Sequence, residues 1–190
     1  MRITSATTLS LTATSLLFRY GASQPPCIGT LADLKVALDS AATDNTNPFV
    51  LCPGSTFDFS GVDPNNQGDA LGLKSNATIL CGQDGLSTNS CTFLNGHVVL
   101  EPLSLSLDVV TIGSVRLQGI TFDNTVTSSN KIAGDIALVD CIFQNNAVAN
   151  FDYGTNLFKY VTFDKCQFSV RYLVVFCVCL FLRFLCLCTH

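Results

Sequence analysis

Positive charge is scarce in this 190-residue chain: between residues 24 and 170 there are five lysines and one arginine, Arg116, against 14 acidic side chains, a net charge near −8. Nucleic acid and anionic membrane surfaces are held by clustered Lys and Arg, so this stretch is excluded from binding either. Catalytic signatures are missing as well. There is no Gly-x-Ser-x-Gly elbow, no Walker loop and no dinucleotide fingerprint, and His97 is the one histidine before residue 171. Helical periodicity is absent beyond residue 42, where short period-two runs separated by Gly, Asn, Asp and Ser take over.

What is present divides the chain into four parts. Residues 1–23 read as an export signal: Arg2, the apolar stretch "LSLTATSLLF", then the small residues Gly21, Ala22 and Ser23. Export sets the expectation of an extracellular or cell-surface protein. Residues 24–48 hold a lead-in and one helix, residues 49–170 hold the strand-like runs, and residues 171–190 are a hydrophobic, Cys-rich tail.

Within the tail, 15 of the 17 residues from 172 to 188 are Leu, Val, Phe or Cys. Seventeen residues is the short limit for crossing roughly 30 Å of hydrocarbon. Arg183 near the middle would cost about 2.5–3.5 kcal/mol at the bilayer centre. Leu, Val, Phe and Cys share thymine-rich codons, and Val170-Arg171 is compatible with the GT of a splice donor. The expectation is therefore intron read-through. The alternative is a genuine transmembrane tail, which would make membrane the localisation and a lipid bilayer the partner. The Cys177/Cys179 and Cys186/Cys188 pairs fall inside this segment and are given no metal role.

Four other cysteines, Cys27, Cys52, Cys81 and Cys91, flank loops or turns as staples in an oxidising compartment do. Four cysteines allow three pairings. Cys27–Cys52 with Cys81–Cys91 closes the shortest loops, each bridge contributing about 3 kcal/mol. The helix lies in "TLADLKVALDSAA", residues 30–42, with Leu31, Leu34 and Leu38 on one face and Thr30 and Asp33 resembling a capping box.

The stretch "VRLQGITFDN" at residues 115–124 returns as "IALVDCIFQN" at 136–145 and as "VTFDKCQFSV" at 161–170. In each, alternation changes phase midway, so a straight strand would turn one apolar pair into solvent. A corner at Gln118-Gly119, Val139-Asp140 and Asp164-Lys165 resolves this. A repeat of this length matches one winding of a solenoid. After the corner, Cys91-x-Phe93, Ile120-x-Phe122, Cys141-x-Phe143 and Cys166-x-Phe168 become equivalent. Windings about 4.8 Å apart would stack Phe93, Phe122, Phe143 and Phe168 in the interior. Cys141 and Cys166 then join them as apolar core, as free thiols rather than a bridge. Asn95, Asn124 and Asn145 form a ladder at an inward turn. The repeat position that should carry a turn residue at 170 carries Val170, so the solenoid reads as truncated at its C-terminal end. Self-association through that open end is expected.

With "TLADLKVAL", "FVLCPGSTFDFSG", "NATILCGQDGLSTNSCTFLNG" and the "GITFDN" rungs in view, residues 27–169 resemble the pectin-lyase-like superfamily. The closest likeness is to uncharacterised secreted members with an N-terminal capping helix. The resemblance implies an all-β fold, a right-handed parallel β-helix with a capping helix, and often a polysaccharide ligand. It does not imply catalysis, because the fold hosts enzymes and inert binders alike.

Enzymes of this kind would carry clustered Asp with His and Arg-x-Lys, or calcium carboxylates with an Arg base. Here there is no Asp-Asp pair and no Arg-x-Lys, and Arg116 stands alone, pointing outward. The loop "DPNNQGD" matches the start of a calcium loop at Asp63, Asn65, Gln67, Gly68 and Asp69, but Lys74 replaces the bidentate Glu at position 12. Asp123, Asp140 and Asp164 read as solvated corner charges. No catalytic residue, metal ligand or cofactor is assigned. Asn76 in "NAT" is an N-glycosylation sequon. The expected role is a secreted, non-enzymatic β-helix module that binds a polysaccharide or matrix component. The alternatives are a fragment of a carbohydrate-active lyase or hydrolase lacking its catalytic rungs, and a tail-anchored surface protein.

Overall fold

The computed structural model describes residues 26–41, 47–66, 69–74, 76–102, 113–129, 134–151 and 160–169. Residues 1–23, read from sequence as an export signal, and the 171–190 tail lie outside the described residues. Among the described residues one α-helix, α1 (Leu31–Ser40), precedes fourteen short strands, and a 3-10 turn, Ser87–Asn89, lies between the fourth and fifth of them. These are β1 (Phe49–Leu51), β2 (Thr56–Asp58), β3 (Leu71–Leu73), β4 (Thr78–Cys81), β5 (Cys91–Leu94), β6 (His97–Pro102) and β7 (Val115–Gln118). They continue as β8 (Ile120–Asp123), β9 (Val126–Ser129), β10 (Ile136–Val139), β11 (Ile142–Gln144), β12 (Val148–Asn150), β13 (Val161–Asp164) and β14 (Gln167–Ser169).

The strands deal themselves in turn into three sheets. Sheet A is ordered β1-β4-β7-β10-β13, sheet B is β2-β5-β8-β11-β14, and sheet C is β3-β6-β9-β12. Every pairing is parallel. A chain that visits A, B and C in order and returns to A one strand further on is a three-sided parallel β-solenoid. The sequence reading finds two strands and one corner per winding. The third side, sheet C, is an addition from the structure.

The interior is built by one face of each strand. Sheet A contributes Leu51, Ile79, Leu117 and Leu138, sheet B contributes Phe57, Phe93, Phe122 and Phe143, and sheet C contributes Leu71, Val98 and Leu100, all fully buried. The aromatic residues stack in register as Phe57–Phe93–Phe122–Phe143–Phe168. Centroids are 5.5 and 5.6 Å apart in edge-to-face pairs at the lower end, and 4.8 and 5.0 Å apart in nearly parallel stacks at the upper end. Each fully buried ring is worth about 2–3 kcal/mol of burial, with a further increment of about 1 kcal/mol from ring–ring geometry.

Left-handed backbone marks two corners of the winding. Between sheets A and B sit Ser90, Gly119, Asp140 and Lys165; between B and C sit Asn95, Asn124 and Asn145. Gly119 is required twice over. Its φ is +73°, and a Cβ there would stand 2.5 Å from the Gly85 carbonyl oxygen. That loop, residues 82–90, lies across the A–B corner and donates the Ser87 amide to the Asp140 carboxylate at 2.8 Å.

At the first winding α1 closes the interior with Leu34 and Leu38. Thr30 caps it, its hydroxyl accepting from the Asp33 amide at 3.1 Å and donating to the Asp33 carboxylate at 2.7 Å. The helix stops at Ser40 because Ala41 adopts an extended conformation, two residues short of the stretch read from sequence. Lys35 ties the helix to Asp69, 3.7 Å away. The lead-in also does more than connect: Ile28 forms a parallel bridge with Leu51.

Candidate functional site

Two disulfides, Cys27–Cys52 and Cys81–Cys91, join the lead-in to the first winding and sheet A to sheet B in the second. Such bridges fit an oxidising, extracellular type of environment. Among the described residues no helix is long and apolar enough to cross a membrane.

Cys141 and Cys166 are free thiols. The Cys141 sulfur lies 3.5 and 3.4 Å from the carbonyl oxygens of Leu117 and Val139. The Cys166 sulfur lies 3.3 and 3.7 Å from those of Leu138 and Asp164. The neighbouring Cys166 thiol, with burial, pushes Cys141 well above its ordinary pKa. The Cys141 side chain beside it lowers Cys166.

The residues weighed as catalytic or metal-binding do not converge. Arg116 is exposed on sheet A, and its Nε donates to Gln118 Oε1 at 2.9 Å. In the calcium-like loop, Asp63 accepts from the Asn65 amide at 2.9 Å, and Asp69 accepts from the Asp63 amide and the Asn66 side chain at 3.2 Å. Gln67 and Gly68 lie outside the described residues. No group of three His, Cys, Asp or Glu side chains positioned for a metal occurs among the described residues. A depression of about 390 Å³ lies beside the first bridge, lined by Val50, Pro53, Gln83, Asp84 and Asn89 among others. Its carboxylate is committed: Asp84 accepts from the Leu86 amide at 3.2 Å and from Asn89, which hold its pKa below the usual range.

Two sequence readings are corrected. The asparagine ladder runs along the outer surface, where Asn124 and Asn145 are exposed and Asn95 is partly so. Asn124 donates to Asn95 at 3.2 Å and Asn95 to Asp58 at 3.4 Å, whereas Asn145 turns to Asp123 at 2.9 Å. The corner acids are also not merely solvated, since Asp140 holds the Ser87 amide and Asp123 accepts from Gln144 and Asn145. Asn76 is exposed with φ +58°.

The most regular surface is the outer face of sheet B. Thr56, Thr92 and Thr121 form one column, with Thr56 exposed, Thr92 half-buried and Thr121 buried, continued by Ile142 and Gln167. Asp58, Leu94, Asp123, Gln144 and Ser169 form the next, and the asparagine corner runs beside it. Sequence reading missed this face, since "TFD" recurs at residues 56–58 and 121–123 on sheet B but also at 162–164 on sheet A.

No family model, curated protein or solved structure gives a significant match to this chain.

Proposed function

We propose that the chain is a right-handed β-helix module of the pectin-lyase-like kind, exported to the cell surface or beyond, that binds polysaccharide without catalysing its cleavage. The supporting observation is the pair of columns on sheet B, in which Thr56, Thr92 and Gln167 in one and Asp58, Asp123, Gln144 and Ser169 in the other put at least one accessible polar side chain in every winding, interrupted by Ile142, Leu94 and the buried Thr121. Parallel strands space such groups about 4.8 Å apart, a repeating hydrogen-bond track suited to a polymer with hydroxyls along its length. The surrounding acidity disfavours polyanions such as pectate and selects a neutral glycan.

Affinity electrophoresis tests this, with neutral β-glucan or galactan in one set of gels and polygalacturonate in another. Retardation by a neutral glycan, lost at least tenfold in Thr92→Glu with an unchanged circular dichroism spectrum, is expected. Retardation by polygalacturonate alone, indifference of binding to Thr92→Glu, or no retardation at all would overturn the reading.

A further inference from the structure

Cys141 and Cys166 occupy one column of the solenoid. Ile142 pairs with Gln167 in parallel register, so the residues preceding them face each other across β11 and β14, and the Gln167 amide donates to the Cys141 carbonyl at 2.8 Å. Their side chains take the same pose one winding apart. Cys141 sits over the carbonyls of Leu117 and Val139, Cys166 over those of Leu138 and Asp164, and these carbonyl residues are themselves register partners. Two cysteines in equivalent poses on neighbouring parallel strands have α-carbons about 4.8 Å apart, inside the roughly 4.4–6.8 Å that a disulfide spans.

Cys91 belongs to the same column, in the second winding, and is bridged sideways to Cys81. At the corner positions matching Cys81, the fourth and fifth windings carry Asp140 and Lys165. For Cys141 and Cys166 the partner within reach is therefore vertical. Cys166 precedes β14 in the last described winding and is only partly buried, so it is the sulfur an oxidant meets first, whereas Cys141 is buried.

We propose that Cys141 and Cys166 form a conditional third disulfide that clamps the fifth winding to the fourth. With a small-molecule disulfide such as oxidised glutathione as oxidant, the Cys166 thiolate attacks one of its sulfurs and releases one glutathione thiolate. The Cys141 thiolate then attacks the Cys166 sulfur of the mixed disulfide and releases the second. The two protein thiol protons pass to the two glutathione thiolates, and two electrons leave the cysteine pair. The favoured entry at Cys166 agrees with the direction in which its partner moves its pKa.

The full chain is treated with oxidised glutathione in a background where Cys177, Cys179, Cys186 and Cys188 are serine, then digested with trypsin without reductant. Peptides 132–159 and 166–171 are expected to be linked to each other. In the undigested protein, cleavage after Lys165 is expected to slow several-fold relative to Cys166→Ser. A glutathione adduct persisting on Cys166, linkage between two chains, or both thiols remaining open to alkylation would overturn the proposal. So would a linked pair that leaves the cleavage rate unchanged, because the bridge would then not clamp the winding.

Discussion

The two ends of the described solenoid are built from the same repeat and fare differently. At the first winding Phe57 and Leu51 are fully buried, since Leu34 and Leu38 of α1 close the interior and a disulfide fastens the lead-in. At the fifth winding Val161, Phe163, Cys166 and Phe168 occupy the same inward positions as Ile136, Leu138, Cys141 and Phe143, yet each stays only partly buried. Apolar side chains at equivalent positions therefore have different value according to whether a neighbour lies on both sides. A solenoid winding cannot bury its own apolar face, so its stability is largely that of its interfaces.

The sharpest test of that contrast is a pair of truncations in one column. Phe122→Ala, with rings above and below, is expected to cost about 4 kcal/mol in urea unfolding, and Phe168→Ala about 1–2 kcal/mol. Equal costs would break the comparison. Next in size, replacing Cys81 and Cys91 together by serine should remove about 3 kcal/mol. The double variant should also lower the urea midpoint more than Cys166→Ser does when Cys141 and Cys166 are thiols, because the second winding is then fastened and the fifth is not.

Mid-solenoid, the hydroxyls of Thr127 in sheet C and of Thr125 just before it are buried without a hydrogen-bond partner. Thr127→Val, which keeps the shape and removes the unpaired hydroxyl, should raise stability by about 1 kcal/mol. A destabilised variant would mean that this hydroxyl is satisfied. At the outer corner, Asn124→Ala should cost about 1 kcal/mol and Asn124→Gly less, since φ there is +51°. Equal losses would assign the cost to the side-chain ladder instead.

The smallest effect concerns pH. The Ser60 main-chain amide, helped by the Ser60 and Asn95 side chains, holds the Asp58 carboxyl below its ordinary value of 3.8. A folded-state pKa below the unfolded one adds stability above the unfolded value, and this is lost as pH falls through the folded pKa. Asp58→Asn should therefore flatten the stability curve only on the acid side of about pH 4. Any change of slope near neutrality would contradict the assignment.

Much of this architecture was legible in the residues. The Phe column could be read because large apolar side chains recur at one phase after each corner, and the corner itself because alternation slips there. Sheet C could not be read. Val126–Ser129 and Val148–Asn150 place Thr127 and Ala149 inward, so their own hydrophobic pattern is too weak to announce a strand. They are strands because β6 offers β9 a parallel edge in register, and β9 then offers one to β12. The asparagine ladder was legible as a left-handed corner, but φ > 0 fixes the backbone and not whether the side chain faces core or solvent. The outer face of sheet B was the least visible, because its short polar side chains acquire meaning only when the register lines them up.

The central claim is that successive windings lie parallel and in register, stacking their aromatic rings. A proton NOESY spectrum of the folded protein tests it most directly. The account predicts ring-to-ring cross-peaks for Phe93 with Phe122 and Phe122 with Phe143, whose centroids are 5.6 and 4.8 Å apart. It also predicts amide-to-α-proton peaks along the parallel pairing of β5 with β8. Close α-proton pairs between those strands, the mark of an antiparallel ladder, together with rings that share no cross-peak, would contradict it.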